Sequence, residues 1–259
     1  MSCQCGASDN QLTQYFSKGE IDFRFCKNCG CVFRENLPSA DELREIYLQA
    51  YAIENIIDAN TNQESGEYAV RNYANYIQQR IVKPGDRMLD YGSGSGMLLS
   101  QLRARGLDAT GAEVSESARN YCLEHRGFSL MADLGGVPDG YYQVISMIEV
   151  VEHLTDLWGT LNEIFRVLAP SGQLFLTTPN RLGLRALIEK GYWREAEKKF
   201  HLFLFDWRSI KYYLTRAGFV EVKRVIFSPL QKAGYKYAIY SRATQLMGLS
   251  GTLCVVARK

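Results

Sequence analysis

Between residues 67 and 82 apolar side chains recur at helical spacing, with Val70, Tyr73, Ala74 and Ile77 along one side. Lys83-Pro84-Gly85 closes the segment. Short apolar runs then alternate with helical stretches. Strands are expected at 87–91, 108–113, 129–132, 143–148 and 173–178, with helices at 97–105, 116–126 and 157–168. Gly106 and Gly127 end the first two of these helices. From Trp207 the pattern runs to a helix at 209–217, Gly218, a strand at 220–226 and a last strand at 252–257. Strands separated by helices about ten residues long imply parallel pairing with right-handed crossovers. The body, residues 67–259, is expected to be an α/β doubly wound sheet.

The first fifty residues follow another rule. Five of the seven cysteines, Cys3, Cys5, Cys26, Cys29 and Cys31, fall in the first 31 positions. Clustered cysteines without an export signal are more often metal ligands than disulfides. Cys26-Lys27-Asn28-Cys29-Gly30 has the spacing that lets two thiolates grip one tetrahedral zinc, and Cys3-Gln4-Cys5 supplies a second, shorter pair. Cys31 either substitutes for one ligand or fills the small core beside Val32 and Phe33. Residues 1–50 are thus expected to form a zinc-ribbon-like segment whose structural zinc is held by Cys3, Cys5, Cys26 and Cys29. Ser39 and Glu42 look like a helix start. The polar, turn-rich stretch 51–66 is expected to be a linker.

Composition narrows the class of partner. The chain has 259 residues, 46% hydrophobic and 22% charged, enough to bury a full core. Its 30 Lys and Arg against 28 Asp and Glu leave +2, so charge does not favour nucleic acid without excluding it. No apolar run approaches about 18 residues, and the opening MSCQCGASDN lacks a basic-then-hydrophobic leader. A cytoplasmic protein with no membrane span is expected; the oligomeric state is not legible.

The chemistry begins at the first strand-to-helix junction, Leu89-Asp90-Tyr91-Gly92-Ser93-Gly94-Ser95-Gly96. A dinucleotide fingerprint would place its last glycine at position 97, which is Met97. An acid instead precedes Gly-x-Gly-x-Gly, which disfavours a pyrophosphate and suits a cationic amino group. Glu113 ends the second strand, where a carboxylate can accept from a ribose diol. Ala132-Asp133-Leu134 follows the third, offering a polar group and an apolar surface to an adenine ring.

These residues carry a family resemblance. The 89–96 junction, Gly111-Ala112-Glu113-Val114-Ser115, Ile148-Glu149-Val150-Val151-Glu152-His153-Leu154 and the run 161–180 resemble class I S-adenosylmethionine-dependent methyltransferases. The resemblance covers about two thirds of the chain. It implies a Rossmann-like, seven-stranded sheet with an antiparallel last strand. It also implies an S-adenosyl-L-methionine site at Asp90, Tyr91, Gly92, Ser93, Gly94, Gly96, Glu113, Val114, Asp133, Leu134, Ile148 and Glu149. Gln143 stands where the family usually has Asp, and Ser171 where it has Gly.

Methyl transfer from a sulfonium is an in-line displacement, so the protein must mainly align and deprotonate the acceptor. His153, after the fourth strand, is the natural general base; the alternative is that it orients the loop or the cofactor. His125, at a helix end, is expected to be a C-terminal charge partner. Glu149, Glu152 and His153, joined by His201, could also hold a divalent cation. That pattern resembles small-RNA 3′-terminal 2′-O-methyltransferases and ubiquinone-pathway O-methyltransferases, in which a metal would bind acceptor oxygens. Two insertions are expected to shape the acceptor site. One, about 181–206, contains a basic amphipathic helix or pair; the other, a loop at 228–250, interleaves Lys232, Tyr235, Lys236, Tyr237, Tyr240 and Arg242. The leading expectation is an O-methyltransferase acting on a small hydroxylated acceptor, a sugar or glycan intermediate among them. The alternatives are a metal-dependent RNA 2′-O-methyltransferase and a non-catalytic cofactor-binding regulator whose ribbon docks a partner.

Overall fold

A computed structural model describes residues 3–39, 42, 45, 63–228 and 235–259, the side chains of 63–65 and 235–240 excepted. Its strands are β1 (Leu12–Lys18), β2 (Ile21–Cys26), β3 (Val32–Arg34), β4 (Arg87–Tyr91), β5 (Asp108–Ala112), β6 (Tyr142–Ile148), β7 (Leu168–Pro179), β8 (Phe203–Leu204), β9 (Glu221–Arg224) and β10 (Thr252–Arg258). Its α-helices are α1 (Gln63–Arg80), α2 (Met97–Arg103), α3 (Glu116–Arg126), α4 (Leu157–Val167), α5 (Leu184–Glu189), α6 (Arg194–Glu197), α7 (Trp207–Arg216) and α8 (Tyr235–Leu246).

The larger sheet has the order β5-β4-β6-β7-β10-β9. β4 pairs in parallel with β5 and β6, β6 pairs in parallel with β7, and β10 runs antiparallel to both β7 and β9. Side chains alternate across it, as a sheet covered on both faces requires. Met88, Val144, Phe175 and Cys254 pack against α1, α2 and α3, while Leu89, Ile145, Leu174 and Val255 pack against α4 and α7. The sheet has six strands, not the seven expected: residues 129–132 give only one parallel bridge, Ala112 to Met131. Met131 donates to Gly111 O and accepts from Glu113 N, and two residues later the chain has already turned, with Gly135 N donating to Asp133 Oδ1. No second pair of ladder bonds forms. α3 ends at Gly127 in the left-handed conformation. Ser171, at φ 61°, shows why the family has glycine there. Gln143 accepts the Arg87 amide at 2.9 Å, stitching β6 to β4.

Two segment boundaries change. α1 begins at Gln63, inside the stretch expected to be a linker. The rest of the expected linker, 51–62, lies outside the described residues. The 228–250 insertion contains α8 where a loop was expected, because Tyr235–Leu246 is free of Gly and Pro. Lys232 and the side chains of Tyr235, Lys236, Tyr237 and Tyr240 lie outside the described residues. The Ser39–Glu42 pairing is present: each backbone N–H donates to the other's side-chain oxygen, at 2.7 and 3.2 Å.

A second sheet has the order β1-β2-β3-β8. Its fourth strand comes from the 181–206 insertion, some 170 positions downstream: Val32 pairs with Leu204 and Phe33 with Phe203. Ala186, Trp193 and Ala196 of that insertion bury against Phe23, Val32 and Leu204. The N-terminal sheet and the insertion thus share one core.

Candidate functional site

β4 delivers the glycine turn to the carboxyl edge of the sheet, and a cavity of about 160 Å³ opens there. Tyr91, Gly92, Glu113, Val114, Ala132, Ile148, Glu149, His153 and Leu154 are among the residues that line it. Gly92 sits at φ 75°, and a Cβ on it would come within 2.4 Å of Val150 Cγ2, so only glycine fits this turn. Asp90 is buried beneath it, accepting from Ser146 Oγ at 2.7 Å, while Ser93 Oγ closes the turn on the Asp90 carbonyl. Burial raises the Asp90 carboxyl to about 6, and the Glu113 charge adds to this. Glu113 reaches into the loop: its two oxygens accept the Gly94 and Ser115 amides at 2.8 and 2.9 Å, and their remaining lone pairs stay available. Val114 is exposed at the rim. Asp133 is exposed, and one of its carboxylate oxygens caps the Gly135 amide. Leu134 is buried in the core with Val137 and does not face the cavity.

Past β6 the backbone turns sharply. Glu149 adopts φ 55°, a left-handed conformation that costs a non-glycine residue of order 1–3 kcal/mol and concentrates at functional sites. The turn points Glu149 into the cavity, where its carboxylate accepts from Thr177 Oγ1 at 3.0 Å and burial lifts it to about 7. A short 3-10 turn, Val151–His153, then places Glu152 and His153. Glu152 is fully buried; Oε2 accepts from Thr178 at 2.9 Å, and Oε1 has no hydrogen-bond partner. Burial, with the Glu149 charge behind it, raises this acid well above the carboxylate range.

His153 Nδ1 lies 2.9 Å from the Phe200 carbonyl, which can only accept. Nδ1 therefore carries the proton and Nε2 presents the lone pair. Desolvation lowers His153 to about 4, so the ring is neutral at ordinary pH. His201 is 2% exposed and packs edge-on to His153 at 4.7 Å; burial and then His153 push it down to about 2. Its Nδ1 also lacks a partner. Ligand atoms of Glu152, His153 and His201 all lie within 4.8 Å of one another. Of the four cation ligands expected, three come together, and Glu149 stands beside them in the cavity. His125 packs on Tyr121 at its helix end, apart from this site.

A family model described as a methyltransferase domain matches residues 61–223. The chain belongs to this family. The methyltransferase is 28% identical over 117 residues to a ubiquinone biosynthesis O-methyltransferase of Pseudomonas fluorescens, a match covering 41% of this chain and 50% of that protein. It thus spans about half the length of the curated relatives it matches. A phosphoethanolamine N-methyltransferase 2 of Haemonchus contortus, solved with S-adenosyl-L-methionine, superposes with a TM-score of 0.64 at 17% identity, covering 88% of this chain and 61% of that one. A Thermotoga maritima methyltransferase, described as a possible histamine N-methyltransferase, gives 0.60 at 16%, covering 83% and 99%. Both likenesses speak for the fold, whose cofactor is S-adenosylmethionine. No described helix is long and apolar enough to cross a membrane.

The cysteines of the methyltransferase's N-terminal sheet form a compact four-sulfur group, Cys3, Cys5, Cys26 and Cys29. Cys3 and Cys29 sulfurs are 3.6 Å apart, those of Cys5 and Cys26 3.5 Å. A tetrahedral zinc with Zn–S of about 2.3 Å needs sulfurs about 3.8 Å apart, so the group needs only a slight expansion to fit one. Sharing a contact pulls the Cys3 thiol down to about 5 and sends Cys29 up. Cys31 is buried in the core and outside the group. Asn28 Nδ2 approaches Cys5 Sγ at 3.5 Å, and the Tyr213 hydroxyl of α7 lies 3.6 and 3.7 Å from the Cys3 and Cys29 sulfurs. Such outer contacts orient and tune thiolate ligands. Arg208 donates to the Lys27 and Asn28 carbonyls and Arg181 to that of Gly30, bringing two cations to a group that would carry net negative charge with zinc. Tyr213, Thr177, Thr178 and the Phe200 carbonyl escaped the sequence reading. Only the alternating His201-Leu202-Phe203-Leu204-Phe205 run offered a signal for β8.

Proposed function

We propose that this methyltransferase transfers a methyl group from S-adenosylmethionine to a hydroxyl of a small acceptor, with sugars or glycan intermediates as the favoured class. A divalent cation held by Glu152, His153 and His201, with Glu149 alongside, assists the transfer. The observation that carries this reading is the pair of buried atoms without hydrogen-bond partners, Glu152 Oε1 and His201 Nδ1, in two residues whose ligand atoms lie within 4.8 Å of one another and of His153. Buried polar atoms are normally satisfied, and a carboxylate clustered with two imidazoles is a donor set a divalent cation takes. The identity of the relatives as O-methyltransferases supports it.

On this reading the Gly92–Gly96 turn, Asp90 and Glu113 would hold the cofactor, Asp90 serving its cationic end and Glu113 its sugar hydroxyls. The cofactor would supply the electrophilic methyl, and a cation held by Glu152, His153 and His201 would supply Lewis acidity that makes a hydroxyl easier to deprotonate. Glu149, raised to about 7, can take up a proton near neutral pH. Structural zinc at Cys3, Cys5, Cys26 and Cys29 completes the proposal.

The test is methyl transfer from labelled S-adenosylmethionine to a panel of sugars, catechols and RNA, with Mg²⁺ or Mn²⁺ and with EDTA. Transfer to a hydroxylated small molecule, lost with EDTA and in Glu152→Gln, is expected. Transfer that EDTA leaves untouched would remove the cation and leave His153 as the base. Labelling confined to RNA, or to an amine, would overturn the acceptor assignment.

A further inference from the structure

We propose that the N-terminal ribbon is the positioning element for His201, and that Arg34 is the residue through which it acts. The inference rests on the cation reading of Glu152, His153 and His201. His201 sits within a short stretch, residues 199–204, whose backbone is held from two sides. From the methyltransferase side, Leu202 N donates to Glu152 O at 2.8 Å, and His153 Nδ1 donates to Phe200 O at 2.9 Å. Two of the three cation residues therefore hold the neighbours of the third. From the ribbon side, Arg34 N donates to Leu202 O at 2.8 Å and Arg34 Nη1 to Lys199 O at 2.5 Å. Val32 and Phe33 continue the clamp onto Leu204 and Phe203.

Arg34 is 7% exposed and its Nε has no partner. Among the described residues the guanidinium bonds one carbonyl, with Glu20 and Glu42 acting on it through their charge, and that carbonyl is two residues before His201. The same grip steadies the adjoining Phe200 carbonyl, which fixes the His153 tautomer that offers Nε2. A cation site tolerates ligand misplacement of only about 0.5 Å, so the path of 199–202 sets the site's quality. Cys29 of the cysteine group lies five residues before Arg34, and Cys26 N bonds Cys31 O just ahead of β3. Order at the cysteines is thus passed along β3 to His201.

The test is Mn²⁺ binding by the zinc-loaded, full-length protein, followed by electron paramagnetic resonance; Mn²⁺ prefers oxygen and nitrogen donors and leaves the thiolates to zinc. Arg34→Met should weaken Mn²⁺ binding about tenfold, the usual cost of removing an outer support, with S-adenosylhomocysteine affinity unchanged. Arg34→Lys should recover part of the loss, and it carries the comparison if Arg34→Met no longer binds S-adenosylhomocysteine. In a His201→Ala background, Arg34→Met should change nothing further, because its effect runs through that imidazole. Wild-type Mn²⁺ affinity in Arg34→Met, or a loss that adds in full to that of His201→Ala, would overturn the inference alone. A wild-type chain that takes up no Mn²⁺ would bring down the cation reading and this inference together.

Discussion

Asp90→Asn should stabilise the ligand-free protein while weakening its hold on S-adenosylmethionine. Asp90 is 3% exposed, and the hydrogen bond it accepts comes from a neutral hydroxyl, that of Ser146. Its carboxyl moves from 3.8 to about 6, with burial the main cause. That displacement corresponds to about 3 kcal/mol, at about 1.4 kcal/mol per tenfold change. Because the folded state binds this proton more tightly than the unfolded chain, the stability is fully present below about 3.8. It drains away as pH rises towards 6 and is gone above. Asparagine keeps the oxygen that accepts from Ser146 and carries no charge, so it escapes the loss. In scanning calorimetry without ligand at pH 8, the variant should melt about 6–12 °C above wild type, at about 2–4 °C per kcal/mol for a chain near this size. The gap should shrink on descending through pH 6 and vanish near pH 4. Titration calorimetry should show the opposite sign for S-adenosylmethionine. A charge-assisted contact to its cationic end is worth about 1.5–3 kcal/mol, about tenfold to a hundredfold in affinity. Wild-type affinity should itself fall below pH 6. A variant that melts lower than wild type at pH 8, or a gap that ignores pH, would refute the reasoning.

The turn above Asp90 is equally exposed to test. Gly92→Ala must place a Cβ 2.4 Å from Val150 Cγ2 at φ 75°, which should cost about 1–3 kcal/mol of stability and abolish measurable S-adenosylhomocysteine binding in the same calorimeter. For the ribbon, elemental analysis should find about one zinc per chain, lost in Cys26→Ser together with a lower melting temperature, since metal binding there is folding free energy. A metal-free preparation that melts normally would count against the zinc.

How much of this was written locally in the chain differs from element to element. The alternation of Met88 against Leu89, or of Val144 against Ile145, is a property of neighbouring residues, so the doubly covered sheet could be read directly. The same holds for Gly127 as a left-handed helix end and for the acid-then-glycine turn at Asp90–Gly96. β8 is the opposite case. Two residues have no period, and their pairing is set by a strand 170 positions earlier, so nothing short of the tertiary structure assigns them to the ribbon. Met131 and Leu134 show a milder version. Both are apolar residues after a helix, and only the early turn decides that one bridges β5 while the other dives into the core. Glu149, Glu152, His153 and His201 were recognisable as a set from chemistry alone. Their division into a three-residue cluster and a cavity-facing acid depends on the φ of Glu149, which composition does not encode.

The buried acids also explain one another. Asp90, Glu149 and Glu152 are all held above their ordinary range, and for each the first cause is burial. A fold selected for stability alone would have paired them or replaced them. Lys198 eases Glu149 and Glu152 through its field, but it is itself bonded to Glu195 at 2.5 Å. Of these acids Glu149 lines the cavity while Asp90 and Glu152 are buried, and both ligands proposed for the site, a sulfonium cofactor with an ammonium group and a divalent cation, are positive. Each would lower the carboxyls it meets and return stability on binding. On the proposed assignment cofactor and cation would each relieve that burial penalty, and where both face Glu149 they draw on the same relief and repel one another, so each should bind less tightly in the presence of the other.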